Sequence, residues 1–211
     1  MKSESKPRGR RALLLGAAAA VSLTLAAGLS GCDKPKPAVA FKSVDLTGAD
    51  YANAFDLPDV DGQRRNLAQF KGKLVVVFFG YTQCPDVCPT TLSDLVQVQK
   101  LLGADADKLV AVLVTVDPER DSAELLKAYI GSFNPNWVAL RGNEDEISAT
   151  AKAFKVFYRK AAGNTPETYT VDHTAASYVF DTEGRIRLYV RNGSPVADTA
   201  ADLKALLAEK A

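Results

Sequence analysis

The chain is poor in the residues that most often hold metals or move protons. Among 211 residues there are one histidine, one methionine, one tryptophan and three cysteines. The methionine is Met1, so once a leader is removed no thioether remains to complete a soft-metal site. A strong charge of either sign is also missing, with a formal net charge of +1 and 24% charged residues. That rules out the charge excess of a disordered chain. Lys2, Lys6, Arg8, Arg10 and Arg11 face only Glu4 at the start, so without residues 1–31 the rest keeps 21 basic and 24 acidic residues. A mildly acidic body has no electrostatic footprint for nucleic acid. Neither an internal repeat nor a Gly/Pro-rich linker divides the body, which argues for one domain with a substantial core.

The start of the chain reads as an address. A basic segment precedes the apolar run Ala12 to Leu29, and small residues follow. "LSGC", Leu29 to Cys32, is similar to a bacterial lipoprotein signal, in which cleavage leaves a lipidated cysteine as the new first residue. The alternative is an uncleaved anchor, since 18 apolar residues lie at the short end of a spanning helix. Arg10-Arg11 is ordinary charge before the apolar run, with twin-arginine export as the alternative. The expected division is a signal peptide over 1–31, a membrane tether over 32–45 rich in Pro and Lys, and a domain over 46–211. Each version places the domain on the periplasmic face of a bacterial inner membrane, where thiols tend to oxidise.

Within the domain, "FDLPDV" and "QRRNL" flank Asp61-Gly62 and predict a hairpin. Leu74 to Phe79 and Leu109 to Val116 are continuous apolar runs of the kind found in strands buried on both faces. From Pro89 the positions Leu92, Leu95, Val96 and Leu102 recur at helical spacing until Gly103. Asp121 with Glu124 predicts a helix start, and Gly131 its end. "WVAL" is a short strand; Asn143 with Glu146 caps a helix with the stripe Ile147, Ala151, Phe154 and Tyr158. Lys160 to Thr170 reads as a loop, "ASYVFD" and "RIRLYV" as a hairpin, and Leu203, Leu206 and Leu207 as the face of a last helix. This order predicts an α/β fold, a central sheet with helices on both faces.

"YTQCPDVCPTT" follows the first buried strand and sets Cys84 and Cys88 four positions apart. If Cys88 opens the helix and Cys84 lies in the turn before it, both sulfurs gather beyond a strand's carboxyl end, where ligand sites of open α/β sheets collect. A helix N-terminus favours thiolate. With no Lys or Arg in the motif and Asp86 present, an extremely lowered thiol pKa is not expected. As a staple the pair is weak, because closing about five residues constrains the unfolded chain by only roughly 2 kcal/mol. Haem attachment is excluded, since Pro89 follows Cys88 and the spacing is not C-x-x-C-H. A structural disulfide, a redox pair and a metal site all stay open at this point.

His173, in "VDHTAASYVF", lies just before a predicted strand. If that strand runs antiparallel to Leu74 to Phe79, the imidazole can meet the two thiols. Two thiolates and one imidazole suit Cu(I), or Cu(II) with an added oxygen ligand, whereas structural zinc takes four protein ligands. Asp172 is a poor candidate to orient His173, because neighbours in an extended chain point apart. Phe78, Phe79 and Tyr81 read as core rather than as a docking rim.

"FGYTQCPDVCPTTL", "VTVDPERDS" and "VDHTAASYVFD", in that order, together resemble the Sco/SenC family, copper-binding assembly factors for cytochrome c oxidase. The likeness covers most of Phe55 to Leu207. It implies a thioredoxin-like fold with an inserted hairpin, and copper held by Cys84, Cys88 and His173. It also implies a metallochaperone rather than an enzyme, serving the binuclear copper site of oxidase subunit II. The alternative is a thiol:disulfide oxidoreductase that reduces that subunit's cysteines and itself oxidises to a Cys84–Cys88 disulfide. Asp117 and Pro118 match the second motif, where strand exit and helix start are role enough. A lipidated Cys32 departs from the family's usual single spanning helix.

Overall fold

The structure, a computed structural model, describes residues 40–163 and 168–209. The expected signal peptide, Cys32 and most of the tether lie outside these residues. In chain order the elements are Val44–Asp45 (β1), Leu57–Pro58 (β2), Arg64–Arg65 (β3), Leu74–Gly80 (β4), Val87–Leu102 (α1), Leu109–Thr115 (β5) and Ala123–Phe133 (α2). There follow Val138–Leu140 (β6), Glu144–Ala153 (α3), Tyr158–Ala161 (β7), Thr170–His173 (β8), Ala176–Phe180 (β9), Ile186–Arg191 (β10) and Val196–Ala208 (α4).

Every residue of β4 and β5 is buried, as their unbroken apolar runs require. They pair in parallel from Leu74 opposite Leu109 to Gly80 opposite Thr115. β9 runs antiparallel along the other edge of β4, with Val77 opposite Tyr178. The six-stranded sheet has the order β1-β10-β9-β4-β5-β6. Alternate β4 residues feed two cores. Val75, Val77 and Phe79 pack with Ile147, Ala151 and Phe154 from α3, while Leu74, Val76 and Phe78 pack with residues of α1, α2 and α4. Helices thus cover both faces, the thioredoxin-like arrangement expected from the sequence. Phe78, Phe79 and Tyr81 are core residues. The Phe154 ring meets Phe79 and Tyr178 edge-on at 5.3 Å in each case; such aromatic pairs stabilise by about 0.5–1.5 kcal/mol beyond area burial.

The predicted hairpin is present as β2 and β3, with Gly62 at φ 79° in its turn. Five local expectations change. Ser122, not Asp121, caps α2 by accepting the Leu125 N–H at 3.1 Å, and α2 continues through Gly131 to Phe133. Tyr158 does not extend the stripe of α3: the chain breaks out of the helix at Lys155, φ 55°, and Tyr158 opens β7. Part of the expected loop 160–170 joins a two-stranded ribbon, β7 antiparallel to β8, separate from the main sheet. The end of the expected tether is already part of the fold. Lys42 and Ser43 each donate a backbone N–H to the Asp202 carboxylate at 2.8 Å, and β1 pairs with β10. Among the described residues, no helix is long and apolar enough to cross a membrane.

Candidate metal centre

The site grows out of the end of β4. Beyond Gly80 the chain turns through Tyr81 to Asp86 and enters α1 at Val87, which leaves Cys84 in the turn and Cys88 in the helix's first turn. Both thiols are free and buried. Cys84 Sγ accepts the Cys88 backbone N–H at 3.5 Å, one of the amides that the start of a helix leaves without an internal partner. Gly80 is needed for a different reason. A Cβ there would lie 2.5 Å from Cys88 Sγ, so the thiol can rest against the strand only where no side chain stands.

His173 arrives from the opposite side, at the end of β8. Its Nε2 lies 3.6 Å from Cys88 Sγ, and the ligand atoms of Cys84, Cys88 and His173 all lie within 4.8 Å of one another. Nδ1 is 3.2 Å from the Thr174 carbonyl oxygen. A carbonyl only accepts, so this contact puts a proton on Nδ1 and turns Nε2 to the sulfurs. The ring stands edge-on to Tyr81, 6.0 Å between centroids at 87°. Asp172 takes no part; it is exposed and pairs with Arg159 at 3.5 Å.

The two thiols are electrostatically unequal. A hydrogen bond from the Cys88 thiol pulls the Cys84 pKa down to about 4, with His173 and the backbone N–H groups of Cys88 and Asp86 acting in the same direction against burial. Cys88 is pushed up, first by donating that bond and then by burial. This corrects the expectation of an only mildly acidic thiol, which looked for a neighbouring cation and found none. Hydrogen bonding supplies the stabilisation instead.

Two acids that the sequence marked as strand exit and helix start do more than that beside the site. Asp121 has no exposed surface and accepts from Thr82 Oγ1 at 2.5 Å, Thr115 Oγ1 at 2.6 Å and the Thr82 N–H at 3.2 Å. It therefore ties the first residues after β4 to the end of β5. Burial raises its pKa above the ordinary carboxylate value, despite those bonds. Asp117 sits at the expected strand exit, yet it is also fully buried and accepts from Arg120 Nε and from the Tyr169 hydroxyl. The spacing of two acids four positions apart around "PER" was the available signal, and helix capping explained it too readily.

Two sulfurs and one imidazole nitrogen form a soft donor set with room for an incoming ligand. A cleft of about 340 Å³ opens beside them, lined by Tyr81, Pro85, Val87 and Val171 among others.

Comparison with known proteins agrees with the motifs. The SCO2-like protein of Rickettsia prowazekii is 38% identical over 132 residues, which are 62% of this chain and 64% of that protein. The match thus spans less than two thirds of that relative's length. The structure of Bradyrhizobium japonicum ScoI with copper bound is 38% identical, covers 72% of this chain and 97% of its own, and superposes with a TM-score of 0.65. BsSco, a member of the Sco family of cytochrome c oxidase assembly proteins with a disulfide switch, is 26% identical, covers 81% of this chain and 99% of its own, and has a TM-score of 0.58. The family model described as SCO1/SenC matches residues 44–208, from β1 to the end of α4. By that span, the chain belongs to the SCO1/SenC family.

Proposed function

We propose that this protein is a copper chaperone in which Cys84, Cys88 and His173 hold one copper ion for delivery to the binuclear copper site of cytochrome c oxidase subunit II. The observation that carries this reading is the convergence of the three ligand atoms within 4.8 Å of one another. The copper named for the ScoI neighbour and the oxidase assembly named for the Sco family of BsSco support it. Transfer is ligand exchange. Copper leaves the thiolates and imidazole as the acceptor's sulfur or nitrogen atoms enter the open position, and its oxidation state need not change. The proposed organisation is a signal peptide over 1–31, lipidation at Cys32, a short tether and the copper-binding domain, held at the periplasmic face of the inner membrane; "LSGC" is its support.

The unequal thiols favour a second reading, reduction of the acceptor's own disulfide. The Cys84 thiolate attacks that disulfide, forming a mixed disulfide and releasing one acceptor thiolate. Cys88, giving up its proton, then attacks Cys84 Sγ and releases the second. Two electrons pass to the acceptor and a Cys84–Cys88 disulfide remains. Copper titration of the reduced protein separates the readings. Wild type is expected to bind about one copper, with strong losses in Cys84→Ser, Cys88→Ser and His173→Ala. If His173→Ala keeps wild-type affinity while disulfide turnover depends on both thiols, the reductant reading replaces the chaperone.

A further inference from the structure

The two halves of the site are attached to the molecule in different ways. The thiols sit on a strand and helix of the main body, whereas His173 sits on the β7–β8 ribbon, which shares no strand pairing with the six-stranded sheet. The pairing of β9 with β4 brings the end of β8 near the thiols, but no pairing between described strands ties the ribbon itself to the sheet. Side chains must fix how the ribbon then sits.

One side chain reaches all the parts concerned. Arg120 donates from Nε to Asp117 Oδ2 at 2.5 Å, and from Nη1 to Gln83 Oε1 at 3.2 Å and to the Tyr169 carbonyl oxygen at 2.8 Å. Its guanidinium carbon lies 3.5 Å from the centre of the Tyr169 ring and 5.7 Å from that of Tyr81. The Tyr169 hydroxyl closes the arrangement by donating to Asp117 Oδ1 at 2.7 Å. Gln83 is the residue before Cys84, Asp117 follows β5, and Tyr169 precedes the strand that ends at His173. The Arg120–Asp117 pair is shielded from solvent, with side chains 14% and 0% exposed. By contrast Lys160–Glu119, an ion pair that does join ribbon to body, is about half exposed on both sides, where such pairs contribute little.

We propose that Arg120 is a positioning residue for the metal. Clamped on Asp117 and stacked on Tyr169, it sets where the ribbon presents His173 to Cys84 and Cys88, without touching the metal. A planar guanidinium suits this task, because its donors point in fixed directions while its face lies on a ring. Lysine offers one point charge and cannot bridge three elements at once. This inference rests on the copper reading above, and the test keeps the two apart.

The experiment compares wild type with Arg120→Gln, Arg120→Lys and His173→Ala, and with the double variant Arg120→Gln/His173→Ala. It reads copper affinity of the reduced protein, histidine nitrogen coupling in the Cu(II) spectrum, and amide hydrogen exchange of residues 170–173 in the copper-free protein. Arg120→Gln is expected to weaken copper binding roughly 10–100-fold, the range for residues that orient a ligand. It should also diminish the nitrogen coupling and speed exchange in β8. It should add almost nothing in the His173→Ala background, since the ligand it positions is gone. Arg120→Lys should recover little. A folded Arg120→Gln protein with wild-type affinity and nitrogen coupling overturns the proposal, and so does a loss that adds fully to that of His173→Ala. If wild type itself binds no copper through His173, the copper reading fails, and the exchange of 170–173 alone decides the clamp: faster supports it, unchanged overturns it. Should Arg120→Gln not fold, Tyr169→Phe removes the hydroxyl and its bonds to Asp117 and, at 3.4 Å, Glu119; it is expected to shift the same readouts by a smaller factor, and no shift overturns the proposal.

Discussion

The thiol side and the imidazole side of this site are built on opposite principles. Cys84 and Cys88 follow a strand whose seven residues are all buried, and Cys88 Sγ lies so close to Gly80 that no Cβ fits between them. Their positions are consequences of the main core. His173 stands on a ribbon of mostly polar residues outside the central sheet, tied by a few hydrogen bonds and one stacked arginine. A site made this way has two sulfurs in a fixed place and a third candidate ligand held by fewer contacts. That asymmetry suits the delivery proposed above, in which an ion is held and then surrendered.

The comparison can be sharpened first by titration, where the largest effect is expected. Cys84 is pulled from the ordinary thiol value of 9.0 down to about 4, while Cys88 is pushed up. The reduced, copper-free protein should therefore show one thiolate at neutral pH by ultraviolet absorbance, and Cys88→Ala should return Cys84 toward the ordinary thiol range. Because the folded pKa of Cys84 is below the unfolded one, its contribution to stability is complete above 9.0, shrinks as pH falls and disappears below about 4. Cys88 has the opposite sign, so above 9.0 further rise in pH lowers stability. Two thiols titrating together in the ordinary range would contradict the inequality.

Gly80→Ala breaks the thiol side. The added methyl meets Cys88 Sγ at 2.5 Å, and the expected cost is about 1–3 kcal/mol in thermal or denaturant unfolding, as for overpacked cores. Copper affinity should fall with it because Cys88 must move, and an alanine variant of wild-type stability and affinity would show that the strand has slack. Tyr81→Phe tests the imidazole side with the smallest change. It removes the hydroxyl that accepts the buried Val171 N–H at 3.1 Å, costing about 1 kcal/mol by the usual value of such a bond. Exchange should quicken in β8 more than in β4; equal change in both would argue against a separately held ribbon.

The same contrast explains what could be read in advance. Leu74 to Phe79 and Leu109 to Val116 announce themselves by continuous apolar runs, and a strand leading into Cys84 and Cys88 follows directly. Antiparallel pairing of β9 with β4, on which the meeting of His173 with the thiols depended, is likewise as expected. The ribbon was not legible, because Tyr158–Ala161 and Thr170–His173 carry neither a buried run nor a clean alternation. Nor were the roles of Asp117, Arg120 and Asp121, whose partners at Tyr169 and Thr82 are separated from them by about forty or fifty positions. Charges in "DPERD" look like a capped helix start unless those distant partners are known. The acidity of Cys84 was hidden for a related reason, since it comes from a donor that folding supplies rather than from a cation in the motif.

X-ray absorption of the copper-loaded, reduced protein tests the central claim most directly. Two sulfur atoms and one histidine nitrogen are expected around a single copper, with the nitrogen lost in His173→Ala and one sulfur lost in either cysteine variant. A copper environment of sulfur alone, unchanged by His173→Ala, would contradict the three-ligand site.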